Sequence, residues 1–368
     1  MLLATELDIG GAEKNLYEIA RKLSRETFLV QVACLFGRGP IGEWLKREDI
    51  SVHFLNMKGK CDLSVIGKLR RLLLCERIDV LYTFLFHANM VGRVSAYLAG
   101  TPVVLSSIRV AEKRRPSHLI FHRFTQNLVT MEVAVSEDVR RFMIEKAKLR
   151  PKKVITIPNG VDISRFASLD REKGRAELGL RDEFTCLFVG RLDAQKGLRY
   201  LIGAWKQAFD RLAPAVLLIA GEGPQRKDLE RITHEMDISS SVRFLGFRED
   251  VPLLLAASDL FVLPSLWEGL ANACLEAMAA SVPVVATQVE GMRELLLEGE
   301  GGRLVPPGDA SSLTDAIVKM REDPDLSRQL ASRAFANVRQ NFTVEKMVES
   351  TERLLESLAN ELRVERRK

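Results

Sequence analysis

An α/β architecture built from two doubly wound parallel sheets is the fold that this sequence predicts. Two observations carry it. Short, β-branched apolar runs alternate with longer helical patterns along almost the whole chain, as parallel sheets covered on both faces require. About thirteen such runs are also too many for a single doubly wound sheet, so the chain divides in two. In the first half the strands are expected near 2–5, 29–36, 51–55, 80–83, 103–106, 133–135 and 154–157. In the second half they are expected near 186–189, 216–220, 242–245, 260–263, 284–286 and 303–305. Between them, residues such as Leu16, Ile19, Ala20 and Leu23 line one helical face at spacings of three and four. The break falls between Pro158-Asn159-Gly160 and the polar stretch ending at Arg181-Asp182-Glu183, with a linker over 160–182. This predicts domains at 1–165 and 170–340, with their ligand between the carboxyl ends of the two sheets. From about 341 the chain reads as a helix carrying Met347, Leu354, Leu355, Leu358 and Leu362 and ending in Arg366-Arg367-Lys368.

Composition narrows the function classes. The 368 residues are 46% hydrophobic and 28% charged, with 24 Gly and 13 Pro, which excludes disorder, collagen-like repeats and a disulfide scaffold. No apolar run approaches the roughly 18 to 20 residues that span a bilayer, and the first residues lack a secretory leader, so a cytoplasmic protein is expected. Cys34, Cys61, Cys75, Cys186 and Cys274 form no C-x-x-C pair and read as small reduced core residues, with no metal site signalled. Residues 1–170 carry 27 Lys+Arg against 18 Asp+Glu, whereas the remainder is acidic. Without a nucleic-acid-binding signature, that asymmetry suits an anionic membrane surface, although a merely solvated basic face would have the same composition.

The most informative segment follows the expected strand at 260–263. It runs Pro264-Ser265-Leu266-Trp267-Glu268-Gly269-Leu270-Ala271-Asn272-Ala273-Cys274-Leu275-Glu276 into an Ala-rich helix. A strand, a Gly-containing loop and a helix N-terminus present backbone N–H groups to a phosphate or hydroxyl-rich ligand. If all eight steps between Glu268 and Glu276 were helical, the two would stand roughly 12 Å and 80° apart. That separation suits two contacts along one extended ligand better than a glycosidase pair, and two surface glutamates on an ordinary helix are the plain alternative.

A second cluster, Gly190-Arg191-Leu192-Asp193-Ala194-Gln195-Lys196-Gly197, leaves the end of the strand at 186–189. There Arg191 and Lys196 can grip a diphosphate and neutralise charge on a departing phosphate, unless they are simply solvated cations. Gly10 and Gly11, in Asp8-Ile9-Gly10-Gly11-Ala12-Glu13, can bring backbone N–H groups close to an anion. Gly221-Glu222-Gly223-Pro224 is similar to a dinucleotide fingerprint, but Arg226 occupies the third glycine position, which leaves Glu222 and Gly223 as a loop lining the site. His87 follows the strand at 80–83, where a lone histidine is more often packed than catalytic. Arg109 with Lys113, Arg114 and Arg115 makes a basic patch on the first domain. Asp323-Pro324-Asp325 reads as a helix-initiating turn and not as a metal ligand set.

In their order and spacing these motifs resemble the retaining, nucleotide-sugar-dependent glycosyltransferases of family 4, which have the two-domain GT-B fold. The resemblance spans nearly the whole chain. It includes Gly10-Gly11-Ala12-Glu13, Ser136-Glu137, Ile157-Pro158-Asn159-Gly160-Val161-Asp162, Gly190-Arg191-Leu192 with Lys196-Gly197, Gly221-Glu222-Gly223-Pro224, and Glu268 with Glu276 as E-x7-E. It implies two Rossmann-like domains facing a central cleft and a last helix crossing back to the N-terminal domain. It also implies that Arg191 and Lys196 bind the donor diphosphate, Glu276 the ribose and Glu268 the transferred sugar. Gly11 would approach the phosphate and His87 would sit beside the sugar, with Gly10, Gly190, Glu222, Gly223, Gly269 and Leu270 also on the donor.

The implied reaction moves a sugar from a UDP- or GDP-linked donor to a glycan or lipid-linked acceptor, with no metal or other cofactor. Such a reaction serves cell-surface polysaccharide or glycolipid synthesis, with Arg109, Lys113, Arg114 and Arg115 on the acceptor or membrane side and the protein peripheral on the cytoplasmic membrane face. Two positions depart from the family pattern: Ser281 replaces a usual glycine, and Ala271 stands where Pro or Phe is common. A nucleotide-sugar epimerase of the same architecture would need further acid/base groups than His87 and Glu268, and a silent scaffold subunit would not need the set Arg191, Lys196, Glu268 and Glu276.

Overall fold

The computed structural model describes residues 1–59 and 62–365, with side chains as far as position 361. Cys61, the Leu362 side chain and Arg366-Arg367-Lys368 therefore lie outside the described residues. The chain forms two compact units, one of Met1–Gly160 with the chain from Val344 onward, the other of Val161–Thr343.

The first unit is built on seven parallel strands: β1 (Leu2–Ala4), β2 (Gln31–Cys34), β3 (Ser51–Phe54), β4 (Val80–Phe84), β5 (Val103–Ile108), β6 (Met131–Ala134) and β7 (Val154–Thr156). Their spatial order is β3-β2-β1-β4-β5-β6-β7. Alternation along β1 sends Leu2 and Ala4 to one face and Leu3 to the other. The first pair packs with Leu16 and Ile19 of helix Gly11–Lys22 and with Leu23 at its C-cap, while Leu3 packs with Val65, Leu69 and Leu73 of helix Ser64–Cys75. The final helix, Val344–Glu365, completes the first of these layers through Met347, Val348, Leu355 and Leu358. Lys22 pairs with Glu345 at 2.7 Å, and the Ser24 N–H donates to Glu352 at 2.7 Å. The helix begins at Val344, three residues later than the sequence suggests, because the preceding helix Pro324–Asn341 runs on through Asn341.

The second unit has six parallel strands: β8 (Phe184–Val189), β9 (Ala215–Ala220), β10 (Val242–Gly246), β11 (Leu260–Leu263), β12 (Val284–Thr287) and β13 (Arg303–Val305), in the order β10-β9-β8-β11-β12-β13. In each sheet the order reverses beside the first strand, between β1 and β4 and between β8 and β11. Ligands of doubly wound sheets bind at that switch point, outside the carboxyl ends of the strands.

Three expectations need correction. Residues 161–182 belong to the second unit and are not a linker. A 3-10 turn at Ile163–Phe166 and a helix at Arg171–Glu177 are capped by Asp162 and Asp170, and Arg171 pairs with Asp259 at 2.7 Å, so the segment is folded onto the second unit. Cys75 is exposed at the end of its helix, unlike the buried Cys34, Cys186 and Cys274. Arg109 does not join an exposed patch, because its guanidinium turns inward onto Asn159 and the Phe84 ring. Asp323, by contrast, caps helix Pro324–Asn341 by accepting from the Leu326 N–H at 3.1 Å, which accounts for the Asp-Pro-Asp sequence. Among the described residues no helix is long and apolar enough to cross a membrane.

Candidate active site

In the second unit, the loops that leave β8, β9 and β11 are laced together by their backbones. Gly190 N–H donates to the Ala220 carbonyl at 3.0 Å, Leu192 N–H to the Glu222 carbonyl at 2.8 Å, and Gln225 N–H back to the Leu192 carbonyl at 3.0 Å. Gly221 has φ +144° and lies so close to the Gly190 carbonyl that a Cβ there would collide with it. Gly197, at φ +63°, likewise faces the Pro264 carbonyl and closes the turn that starts helix Leu198–Leu212. These contacts explain the glycine spacing without a dinucleotide fingerprint. The Glu222 side chain is half exposed and held in an ion pair by Arg226.

The side chains of this edge interlock. Asp193 caps the short turn Ala194–Lys196 through the Gln195 N–H at 3.0 Å, and its other oxygen takes the Arg191 guanidinium at 2.5 Å. Lys196 Nζ donates to Glu268 Oε1 at 2.6 Å, and the Ser265 hydroxyl donates to the same oxygen at 2.6 Å. Leu266 N–H to the Gln195 carbonyl at 2.7 Å, and the Gln195 amide to the Trp267 carbonyl at 3.0 Å, tie the loop after β8 to the loop after β11. Lys196 is therefore not a solvated cation, and its charge is already matched by a carboxylate.

Glu268 is only 6% exposed and Glu276 8%, which removes the reading of two surface glutamates. The helix that carries Glu276 spans Asn272–Ala279, so Glu268 belongs to the loop and the all-helical separation does not apply. Gly269 and Leu270 lie in the same loop. Leu270 is buried, and the Gly269 carbonyl is packed against Gly291. Ala271 at the N-cap has no side chain to cap with, and the positive end of the helix follows the loop directly. Beside Glu268, burial and then that carboxylate push the Cys274 thiol up to about 12, which leaves it inert. Ser281, two residues beyond the helix, has φ +55°. This left-handed backbone is why glycine suits the position.

The carboxyl edge of the first sheet holds a different chemistry. Gly10 is the N-cap of helix Gly11–Lys22, and the Glu13 carboxylate folds back against it. Burial, with the neighbouring Glu6 and Asp8, raises Glu13 to about 7 against the opposing pull of its own backbone N–H and of Arg109. Arg109 is turned inward. Its guanidinium donates to Asn159 Oδ1 at 2.6 Å and lies over the Phe84 ring at 5.8 Å, and burial lowers its pKa to about 10. Lys113, Arg114 and Arg115 stay exposed on the following loop. His87 sits in the first turn of helix Phe86–Ala99, its ring 5.7 Å from that of Phe86. The N-cap of this helix, Leu85, has φ +72°, a strained backbone of the kind stored at functional sites. Sequence reasoning assigned no role to Glu13, Asp193, Ser265 or Leu85. Only Asp193, two residues from Arg191, carries a signal in its spacing.

The two halves match different family models. Residues 9–165 match the model described as glycosyltransferase family 4, and residues 183–323 the model described as glycosyl transferases group 1. A lipopolysaccharide core biosynthesis glycosyltransferase of Rhizobium meliloti, LpsE, is 30% identical over 242 residues, which are 66% of this chain and 67% of the relative. The chain belongs to glycosyltransferase family 4.

This family 4 glycosyltransferase is also 29% identical over 339 residues, 87% of each chain, to an Escherichia coli galactosyltransferase. That enzyme is named for its donor UDP-Gal and its acceptor, an α-D-GlcNAc-diphosphoundecaprenol. Among solved structures, Anabaena HepE in complex with UDP-glucose superposes with a TM-score of 0.85 at 27% identity, over 97% of this glycosyltransferase and 99% of HepE.

Proposed function

We propose that this glycosyltransferase moves a hexose from a UDP- or GDP-linked donor to a lipid-linked or glycan acceptor, with retention of anomeric configuration and without a metal. The observation that carries the reading is the junction of Lys196 with Glu268, at the switch point of the second sheet, on the loop that leads into the helix of the buried Glu276. The names of the Escherichia coli relative and of the HepE complex support a nucleotide-sugar donor, and the former supports a diphosphate-lipid acceptor.

Arg191 and Lys196 supply the positive charge that a departing diphosphate needs, a task that a divalent cation serves in other enzymes. When the diphosphate engages Lys196, Glu268 loses its counter-charge and becomes an acceptor for hydroxyls of the transferred sugar. Glu276 accepts from the ribose. The bond from the anomeric carbon to the phosphate oxygen breaks, and the bond to the acceptor oxygen forms on the same face. The acceptor proton passes to the leaving phosphate, so no protein nucleophile is required. Lys113, Arg114 and Arg115 belong to the side that meets an anionic membrane surface, where a lipid-linked acceptor resides.

The test is a donor screen with purified protein, measuring nucleotide release from UDP- and GDP-hexoses with and without a polyprenyl-diphosphate-linked sugar. Nuclear magnetic resonance of the product reads the anomeric configuration. Acceptor-dependent release with an α-linked product from an α-linked donor supports the proposal. A β-linked product removes retention, and interconversion of donor sugars without an acceptor makes the protein an epimerase.

A further inference from the structure

Helix Pro116–Thr125 of the first unit is packed inside out. The side chains it turns toward the protein are polar. Arg93, fully buried on helix Phe86–Ala99, donates to the Thr125 hydroxyl at 2.7 Å, makes a bond of 3.1 Å with His122 Nδ1, and holds both oxygens of the buried Glu132 at 2.6 and 2.8 Å. His118 lies flat on Phe86, with ring centroids 3.5 Å apart. The side chains turned outward are apolar: Ile120 is 55% exposed, Phe121 53% and Phe124 76%. At about 100° per residue these three span roughly 100° of the helix surface. Tyr97, on the same stripe of its helix as Arg93 and Phe86, adds a further ring that is 70% exposed. A helix in a water-facing position normally has the reverse arrangement, because each exposed phenyl ring forfeits the free energy of leaving water.

The charges around this face indicate what covers it. Lys113, Arg114 and Arg115 precede the helix and Arg123 lies beside Phe124, all exposed, while the nearby Glu112 carboxylate is occupied in accepting the Arg114 N–H at 2.8 Å. A two-fold contact with a second copy would set these cations against themselves. An anionic bilayer interface matches both halves of the pattern, with guanidinium and ammonium groups at the phosphates and phenyl rings below them.

We propose that helix Pro116–Thr125 is a membrane-insertion element that beds Ile120, Phe121 and Phe124 into the headgroup region of an anionic bilayer. The buried Arg93–Glu132–His122 network acts as the rigid mount of the helix. The inference deepens the proposed function, since it specifies the surface at which a lipid-linked acceptor is met, and it rests on that reading only for its purpose. Electrostatic attraction alone would fade with salt, whereas ring insertion leaves a salt-resistant component.

The experiment is sedimentation of the full chain with vesicles, without donor or acceptor, comparing phosphatidylglycerol/phosphatidylcholine mixtures with phosphatidylcholine alone at low and high salt. The expected result is partition into the anionic vesicles. Ile120→Ser with Phe124→Ser should lower that partition about tenfold or more at either salt concentration. Arg114→Glu with Arg115→Glu should lower it chiefly at low salt, and the urea midpoint should stay unchanged in both variants. The proposal is overturned if the wild type ignores lipid charge, or if the serine variant partitions as the wild type does. It is also overturned if no partition occurs and the serine variant turns a dimer into a monomer, which would assign the face to a second copy. Nucleotide release with a detergent-dispersed acceptor is read separately. Vesicle binding without transfer would reject the proposed function and leave this surface standing, and transfer without vesicle binding would do the opposite.

Discussion

Lys196 and Glu268, 72 residues apart in the chain, meet at 2.6 Å, and the Ser265 hydroxyl donates to the same carboxylate oxygen. The pair is mostly buried, with side-chain exposures of 19% and 7%, so neither charge can be removed without stranding the other in a poorly solvated position. Lys196→Ala should therefore do more than delete the proposed phosphate contact, because it also changes what Glu268 can accept.

The expected result for Lys196→Ala is a fall in kcat of about 100-fold with a change in nucleoside-diphosphate affinity below about tenfold, since fixed charge matters most as the phosphate departs. Arg191→Ala should act in the same direction but more weakly, its guanidinium being 63% exposed and tied to Asp193. Combining Lys196→Ala with Glu268→Gln should be clearly non-additive in kcat. Equal losses in affinity and turnover would show uniform binding, and strict additivity would separate the two residues functionally.

Glu276 is buried on the second turn of helix Asn272–Ala279 and is proposed to hold the nucleotide ribose. Glu276→Gln replaces one acceptor oxygen by a donor, so nucleoside-diphosphate affinity should fall about tenfold or more, as a charge-assisted bond is lost. Isothermal titration with UDP and GDP checks this directly. An unchanged dissociation constant would remove Glu276 from the ribose.

The strands were legible because each crosses a sheet covered on both faces, so apolar runs such as Leu260–Leu263 mark themselves without any partner in view. The candidate site was legible in part, because Arg191, Lys196, Glu268 and Glu276, its proposed residues, sit at fixed offsets from those runs. Pairing was not legible. Nothing local says that Lys196 meets Glu268, that Arg109 turns from the loop cations toward Asn159, or that His122 and Thr125 face inward while Phe124 faces out. These relationships are set by the strand order and by a single buried arginine, Arg93, whose partners come from three separate segments.

Ser281 holds a left-handed conformation at φ +55° directly after the helix that carries Glu276. Glycine adopts that backbone without strain, against a smaller opposing loss from the greater freedom of the unfolded chain. Ser281→Gly should stabilise the second unit by about 0.5 to 1 kcal/mol in urea titration. A fall in the midpoint would mean that the serine side chain contributes more than its backbone costs.

Arg93 and Glu132 form a bidentate pair with side-chain exposures of 0% and 1%, joined by His122 at 3.6 Å from the carboxylate. Arg93→Met leaves Glu132 buried without its cation and should cost about 3 to 5 kcal/mol. The double variant Arg93→Met with Glu132→Leu should recover much of that loss, since two apolar groups need no partner. Urea unfolding of the two singles and the double measures the coupling. A double variant no more stable than Arg93→Met would show that the network's other bonds, to Thr125 and Ser106, carry the stability.

Glu13 makes the stability of the first unit depend on pH in a defined window. Burial raises its folded pKa to about 7 from an ordinary value of 4.5. Below about pH 4.5 both folded and unfolded chains hold the proton, and well above 7 neither does. Between these limits the folded chain holds it and the unfolded chain does not, so this contribution is lost as pH rises through the window, by at most about 3 kcal/mol. Glu13→Gln cannot titrate and keeps the shape that packs against Gly10. The difference in unfolding free energy, wild type minus Glu13→Gln, should therefore decline from about pH 4.5 to 7 and level off above it. A difference that stays flat across that range would mean that Glu13 is ionised in the folded protein throughout, with Arg109 as its effective counter-charge.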